Sequence, residues 1–223
     1  MEFWIEGTPE QAIQAANYGL ADAIATNPAI MERWTADGRT LENVVAYVCS
    51  SVDVPLYVQL HGPTPDDYLR EMDNLRRISP NIHPKLIATH AGMAAARRIA
   101  DEGLRPLITT IATLNQAYLA ARAGAAYVAP YIGRIQDANV DAYGLVSDIA
   151  TMYARHGVTT QIAAASIRSP EQAEAVLRAG APVLVMQYDV FMRLNDSPLT
   201  QAWIEGFEQN WLNIPHALGK KGS

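Results

Sequence analysis

Lysine is the scarcest basic residue in this chain. Of 17 Lys and Arg in 223 residues only three are Lys, and two of these, Lys220 and Lys221, fall in the polar stretch 217–223, read as a mobile tail. Cysteine is rarer still: Cys49 stands alone, which excludes an internal disulfide and a thiolate metal cluster. Net positive charge is absent, the formal charge being −6, so there is no electrostatic footprint for DNA or RNA. No apolar run approaches a bilayer span and no charged leader precedes an apolar signal segment, so no membrane partner is expected and the cytoplasm is the expected location. The five histidines (61, 83, 90, 156, 216) show no His-x-x-x-His or other ligand spacing, and no metal or cofactor is expected.

What is present is a regular alternation. Short apolar runs at 3–6, 23–26, 56–60, 84–88, 106–110, 126–130, 160–165 and 183–187 are mostly continuous, the pattern of parallel strands buried on both faces. Helical patterns lie between them. Thr8-Pro9-Glu10-Gln11 and Ser169-Pro170-Glu171-Gln172 each set a cap, a Pro and a Gln at the start of a helix, and Gly19, Gly103, Gly124, Gly157 and Gly180 stand where left-handed C-terminal caps belong. Eight strands each followed by a helix predict a single α/β domain over 1–223, a (β/α)₈ TIM barrel with an extra C-terminal helix at about 198–214. A doubly wound open sheet lacks its Gly-x-Gly-x-x-Gly after the first strand. Pro84 inside a buried strand predicts a local distortion of strand four. The last helix repeats Trp203, Phe207 and Trp211 at i, i+4, i+8, a stripe that suits either its own barrel or a neighbouring subunit.

Barrel active sites lie at the C-terminal ends of the strands. Here those ends carry Glu6, Thr26 and Asn27, Gln59, Thr109 and Thr110, Tyr131, Ser166, and Gln187 to Asp189. Lys85, the one lysine of the folded body, lies in strand four and points inward if its parity matches the barrel face. Such a lysine is a paired structural cation, a phosphate ligand, or an amine that attacks a carbonyl, and composition alone leaves all three open. Glu6 is either its counter-ion or a proton shuttle. Ser166, Arg168 and the helix start after Ser169 make an anion site of the usual barrel kind, which Arg134 closes from the other side unless the arginines form surface ion pairs.

In order along the chain, Thr26-Asn27-Pro28, Gln59, Lys85, Ala123-Gly124 leading into Tyr127-Val128-Ala129-Pro130-Tyr131, Arg134, and Ala165-Ser166-x-Arg168 resemble the transaldolase family, most closely its short fructose-6-phosphate aldolase-like branch. The resemblance implies a class I, Schiff-base mechanism without metal or cofactor, acting on a ketose phosphate. It implies Lys85 as the Schiff-base lysine and Glu6 at the position of the acid/base. Asn27, beside Thr26, binds a donor hydroxyl; Gln59, Thr109 and Tyr131 position the catalytic water and the proton transfer; Arg134, Ser166 and Arg168 hold the phosphate. It also implies pentameric or decameric rings, with the terminal helix reaching a neighbour.

The chain departs from the family pattern in having Glu6 for Asp, Ala25 for Thr, and Ile87 for Pro two residues after the lysine. These changes point to an altered substrate or a specialised pathway. Gln59 and Tyr131 resemble the aldolase branch and Arg168 the transaldolases proper, so release of dihydroxyacetone and its transfer to an acceptor both stay open. Outside the family, a non-cleaving sugar-phosphate isomerase or a binding barrel remains as an alternative.

Overall fold

The computed structural model describes residues 1–214; Lys220, Lys221 and the 217–223 tail lie outside the described residues. The chain falls into two compact units, Met1–Phe191 and a second beginning at Met192. The first is a closed barrel of eight parallel strands taken in chain order. They are β1 (Glu2–Glu6), β2 (Ala23–Ala25), β3 (Leu56–Gln59), β4 (Ile82–Ile87), β5 (Leu107–Ile111), β6 (Tyr127–Pro130), β7 (Gln161–Ile167) and β8 (Val183–Gln187). Ten helices accompany them: α1 (Pro9–Asn17), α2 (Pro28–Trp34), α3 (Leu41–Ser51), α4 (Pro65–Arg76), α5 (His90–Asp101), α6 (Leu114–Arg122), α7 (Ile132–Asp137), α8 (Ala142–His156), α9 (Pro170–Arg178) and α10 (Tyr188–Met192). The TIM barrel expected from the alternation is present.

Local chemistry explains the junctions. Thr8 and Gln11 close a reciprocal capping box on α1, and Ser169 caps α9 by accepting from the Gln172 N–H. The two Arg-Ala-Gly-Ala junctions end alike, Gly124 at φ 78° and Gly180 at φ 102°, where any Cβ is strained.

Pro84 does not distort β4. Val58–Pro84 and Gln59–Lys85 stay in register with β3, and β5 joins only from Lys85 onward. The Lys85 carbonyl faces β3, accepting the Leu60 N–H, so the edge of Pro84 one residue earlier faces away from β3 and precedes the β5 ladder. Its missing donor therefore leaves no gap. The irregularities fall on β5, between Ile108 and Ile111, and on β7, between Ala164 and Ile167.

Alternation along the strands turns Trp4, Ala23, Ala25, Tyr57, Leu107, Tyr127, Ala129, Ala163, Val183 and Val185 into one interior cluster. Trp4 stacks on Tyr57 at 4.2 Å and meets Tyr127 edge-on at 4.7 Å, while Tyr57 stacks on His83 at 5.2 Å. These rings fill the barrel beneath the strand ends and leave the polar groups to the C-terminal rim.

The second unit contains a 3₁₀ turn (Arg193–Asn195) and α11 (Pro198–Leu212), capped by Ser197. Trp203, Ile204 and Phe207 on α11 are exposed. Among the described residues no helix is long and apolar enough to cross a membrane.

Candidate active site

The same alternation that builds the interior cluster continues upward by one residue per strand. Glu6 follows Trp4, Asn27 follows Ala25, Gln59 follows Tyr57, Lys85 follows His83, Thr109 follows Leu107, Tyr131 follows Ala129 and Gln187 follows Val185, each two positions on. Seven of the eight strands thus end in a polar group aimed at the barrel axis. The eighth, β7, contributes Ala165, paired with Tyr131.

Lys85 is 1% exposed, and its Nζ lies 3.7 Å from Glu6 Oε1, an ion pair longer than a hydrogen bond. Asn27 Nδ2 donates to Glu6 Oε1 at 3.3 Å, and Gln187 Nε2 donates to Glu6 Oε2 at 2.9 Å. The orientation of Asn27 is fixed from its other end, because its Oδ1 caps α2 by accepting the Ile30 N–H. Opposite, Thr109 Oγ1 donates to the Tyr131 hydroxyl at 2.8 Å, and the Arg134 guanidinium lies 5.1 Å from the centre of the Tyr131 ring. Gln59 is the register neighbour of Lys85 across β3 and β4.

A cavity of about 200 Å³ opens above this ring, lined by Glu6, Asn27 and Gln187 on one side and Tyr131, Arg134, Ser166 and Arg168 on the other. Four cationic or hydroxyl donors on one wall face a carboxylate and two amides on the other. Such a site suits a small ligand with an anion at one end and hydroxyl or carbonyl groups at the other.

Two residues at the strand ends hold backbone conformations that L side chains seldom adopt: Thr110 at φ 61° and Ser166 at φ 58°. Both sit at the register shifts of β5 and β7. The bulge at Ser166 sets it on the cavity wall out of simple strand alternation, and Thr110 Oγ1 accepts the Ala88 N–H.

Arg168 reaches the cavity but is not waiting there alone. Its two terminal nitrogens bond Asp137 at 2.8 and 2.7 Å, which holds the Asp137 carboxyl below its ordinary range and pushes the guanidinium up. The backbone N–H of Arg168 is taken by Gln172 Oε1 at 2.7 Å, so the start of α9 is partly occupied by its own side chain. Gly133 makes room for Arg168: a Cβ there would stand 2.6 Å from Arg168 Nε and 2.7 Å from the Ser166 carbonyl oxygen.

Of the residues read from the sequence, Glu6, Asn27, Tyr131, Arg134, Ser166 and Arg168 line the cavity, Lys85 and Thr109 touch its lining, and Gln59 flanks Lys85. Thr26 is not brought to it. Strand parity turns Thr26 outward, fully buried between β2 and β3, where its hydroxyl donates to the Tyr57 carbonyl and accepts the Gln59 N–H, both at 3.2 Å. Gln187, read as a strand end without a role, is a direct partner of the carboxylate. His61 and His90 are not among the cavity residues.

The chain matches the family described as transaldolase/fructose-6-phosphate aldolase over residues 3–218. It is 34% identical over 215 residues to a protein named probable transaldolase from Heliobacterium modesticaldum, covering 96% of this chain and 99% of that one. A protein of the same name from Geotalea uraniireducens is 35% identical over 216 residues, 96% of this chain and 100% of that one. A third, from Pelotomaculum thermopropionicum, is 36% identical over 205 residues, 92% and 94% of the two chains. With its eight strands, its buried lysine and these matches along nearly its whole length, the chain belongs to the transaldolase/fructose-6-phosphate aldolase family of enzymes.

Proposed function

We propose that this protein cleaves or transfers a dihydroxyacetone unit of a ketose phosphate, such as fructose 6-phosphate or sedoheptulose 7-phosphate, through a Schiff base on Lys85. The observation that carries this reading is the placement of Lys85. It is the only lysine of the barrel, buried, 3.7 Å from a carboxylate, and set below a cavity whose far wall holds two arginines.

Glu6 takes up the proton that the Lys85 ammonium must lose, and the amine adds to the C2 carbonyl. Loss of water from the carbinolamine leaves an iminium. A base removes the C4 hydroxyl proton, the C3–C4 electron pair moves toward C2, and the iminium nitrogen takes up the electrons. The departing aldehyde keeps the phosphate, and a three-carbon enamine stays on Lys85. Glu6, with Gln59, Thr109 and Tyr131 around the same point, is the group placed to move these protons. The enamine carbon then either attacks an acceptor aldehyde, or takes a proton, after which water releases dihydroxyacetone and the free amine. Arg134, Ser166 and Arg168 hold the phosphate and so fix which carbon meets Lys85.

Borohydride reduction in the presence of either sugar phosphate, followed by intact-mass analysis of wild type and Lys85→Met, tests the reading. A dihydroxyacetone-sized adduct on wild type alone supports it, and an added acceptor aldehyde separates transfer from release. No adduct with either sugar, together with turnover retained in Lys85→Met, overturns it in favour of isomerase chemistry. Ligand-dependent thermal stabilisation without turnover points to a binding barrel. The exposed Trp203, Ile204 and Phe207 on α11 suit association with further copies, which sedimentation analysis of wild type and a Trp203→Glu/Phe207→Glu variant tests.

A further inference from the structure

Glu6 is longer than the Asp that the family resemblance implies at this position, and a longer acid has one more rotatable bond to fix. The structure fixes it from β4, β8 and the N-cap of α2. Oε1 receives Asn27 and faces Lys85, and Oε2 receives Gln187. Gln187 is the lateral neighbour of Glu6, since Glu6 and Gln187 are paired in register where β1 closes the barrel against β8. At 2.9 Å its bond is the shortest that Glu6 makes. With Oε2 tied to Gln187, rotation of the carboxylate is blocked and Oε1 stays on the Lys85 side.

We propose that Gln187 is a positioning residue for proton transfer, its amide holding the Glu6 carboxylate in register with Lys85. The inference rests on the Schiff-base reading above. Gln187 also lines the cavity, so the competing role is direct contact with the sugar. The two roles separate in the kinetics. A positioning residue acts on the proton-transfer step and lowers kcat; a sugar ligand acts on binding and raises KM.

The test uses Gln187→Met, which keeps the length and removes the donor. Glu6→Gln and the Glu6→Gln/Gln187→Met double variant complete the cycle, assayed with whichever of fructose 6-phosphate and sedoheptulose 7-phosphate gives an adduct on wild type. Loss of the anchor misplaces the carboxylate by a fraction of its side-chain length, for which roughly 10- to 100-fold in kcat is the expected scale. KM stays within about twofold, and borohydride now traps the uncleaved whole-sugar adduct. In the Glu6→Gln background the additional Gln187→Met change costs less than about twofold, because the group it positions is already gone. A thermal midpoint near that of wild type for either single variant shows that the loss is not one of folding. The proposal is overturned if KM rises while kcat holds, or if the two substitutions multiply. A wild type that forms no adduct removes the Schiff-base reading, a failure distinct from a wild type that traps normally beside an unimpaired Gln187→Met.

Discussion

Lys85 Nζ and Glu6 Oε1 stand 3.7 Å apart at the closed end of the cavity, and the two partners are not equally provided for. Glu6 has the amides of Asn27 and Gln187 as well as the lysine, whereas Glu6 is the one carboxylate paired with Lys85 among the described residues. Removing one member of a buried pair leaves the other charge uncompensated, at a cost of about 3–5 kcal/mol. Glu6→Ala should therefore lower the unfolding midpoint clearly more than Lys85→Met, which leaves a carboxylate that still has two hydrogen-bond donors. Thermal denaturation of both variants at neutral pH measures the difference. Equal midpoints would mean that the pair contributes no asymmetric stabilisation.

Gly133 predicts a second effect, on ligand binding. A methyl group there meets the Arg168 side chain and, less forgivingly, the Ser166 carbonyl oxygen at 2.7 Å. The arginine can swing away, but the backbone oxygen belongs to the strained bulge of β7 and has to shift with it. Gly133→Ala is expected to raise KM for the phosphate substrate by about tenfold, a loss on the scale of one charged hydrogen bond, and to destabilise the fold by about 1–3 kcal/mol of overpacking. Steady-state kinetics and a denaturant titration read the two effects separately.

Much of this site was legible in the sequence because strand ends and helix caps are local. Val183–Gln187 is the apolar run itself, and the Thr8 and Ser169 caps are spelled by their neighbours. What escaped depends on relations between distant segments. Thr26 and Asn27 are adjacent, yet only one of them can face the axis, and the parity of Ala23 and Ala25 gives that place to Asn27. Gln187 acquires its partner only when β8 closes against β1, a pairing of residues 181 positions apart. The shifts at Thr110 and Ser166 have no local sign either, since a Thr at positive φ is a conformation the surrounding barrel imposes rather than one its sequence favours. Pro84 misled in the opposite sense: it reads as a broken ladder, and the broken position is one that no neighbour uses.

Asp137 holds the guanidinium proposed to bind the substrate phosphate. Its two hydrogen bonds occupy both terminal nitrogens of the guanidinium, and its negative charge lies beside the place proposed for a phosphate. An exposed, solvent-screened pair of this kind contributes little to stability, so removing it should not unfold the protein. Asp137→Asn should tighten inhibition by inorganic phosphate by about two- to fivefold, with an effect that shrinks as ionic strength rises. Weaker inhibition instead would show that Asp137 serves to hold Arg168 in place, and that preorganisation outweighs charge.

His83 gives the barrel a pH dependence that has nothing to do with the chemistry above it. Its ring stacks on Tyr57 inside the barrel, and its Nδ1 is buried with no hydrogen-bond partner among the described residues. Burial, with the nearby positive charges of Arg105 and Arg76, lowers its pKa from the ordinary 6.5. The unfolded chain therefore binds a proton at a higher pH than the folded one does. Between 6.5 and the lower folded value the unfolded state holds more protons, so stability rises with pH there and falls on acidification. His83→Phe keeps a ring against Tyr57 and removes the titration. Denaturant unfolding of the wild type at pH 7 and pH 5 should show a loss of stability at the lower pH, and in His83→Phe that loss should be smaller. An identical loss in the two proteins would show that His83 does not carry the acid sensitivity in this range; Asp137, whose pKa lies below its ordinary value, loses its contribution only at more acidic pH.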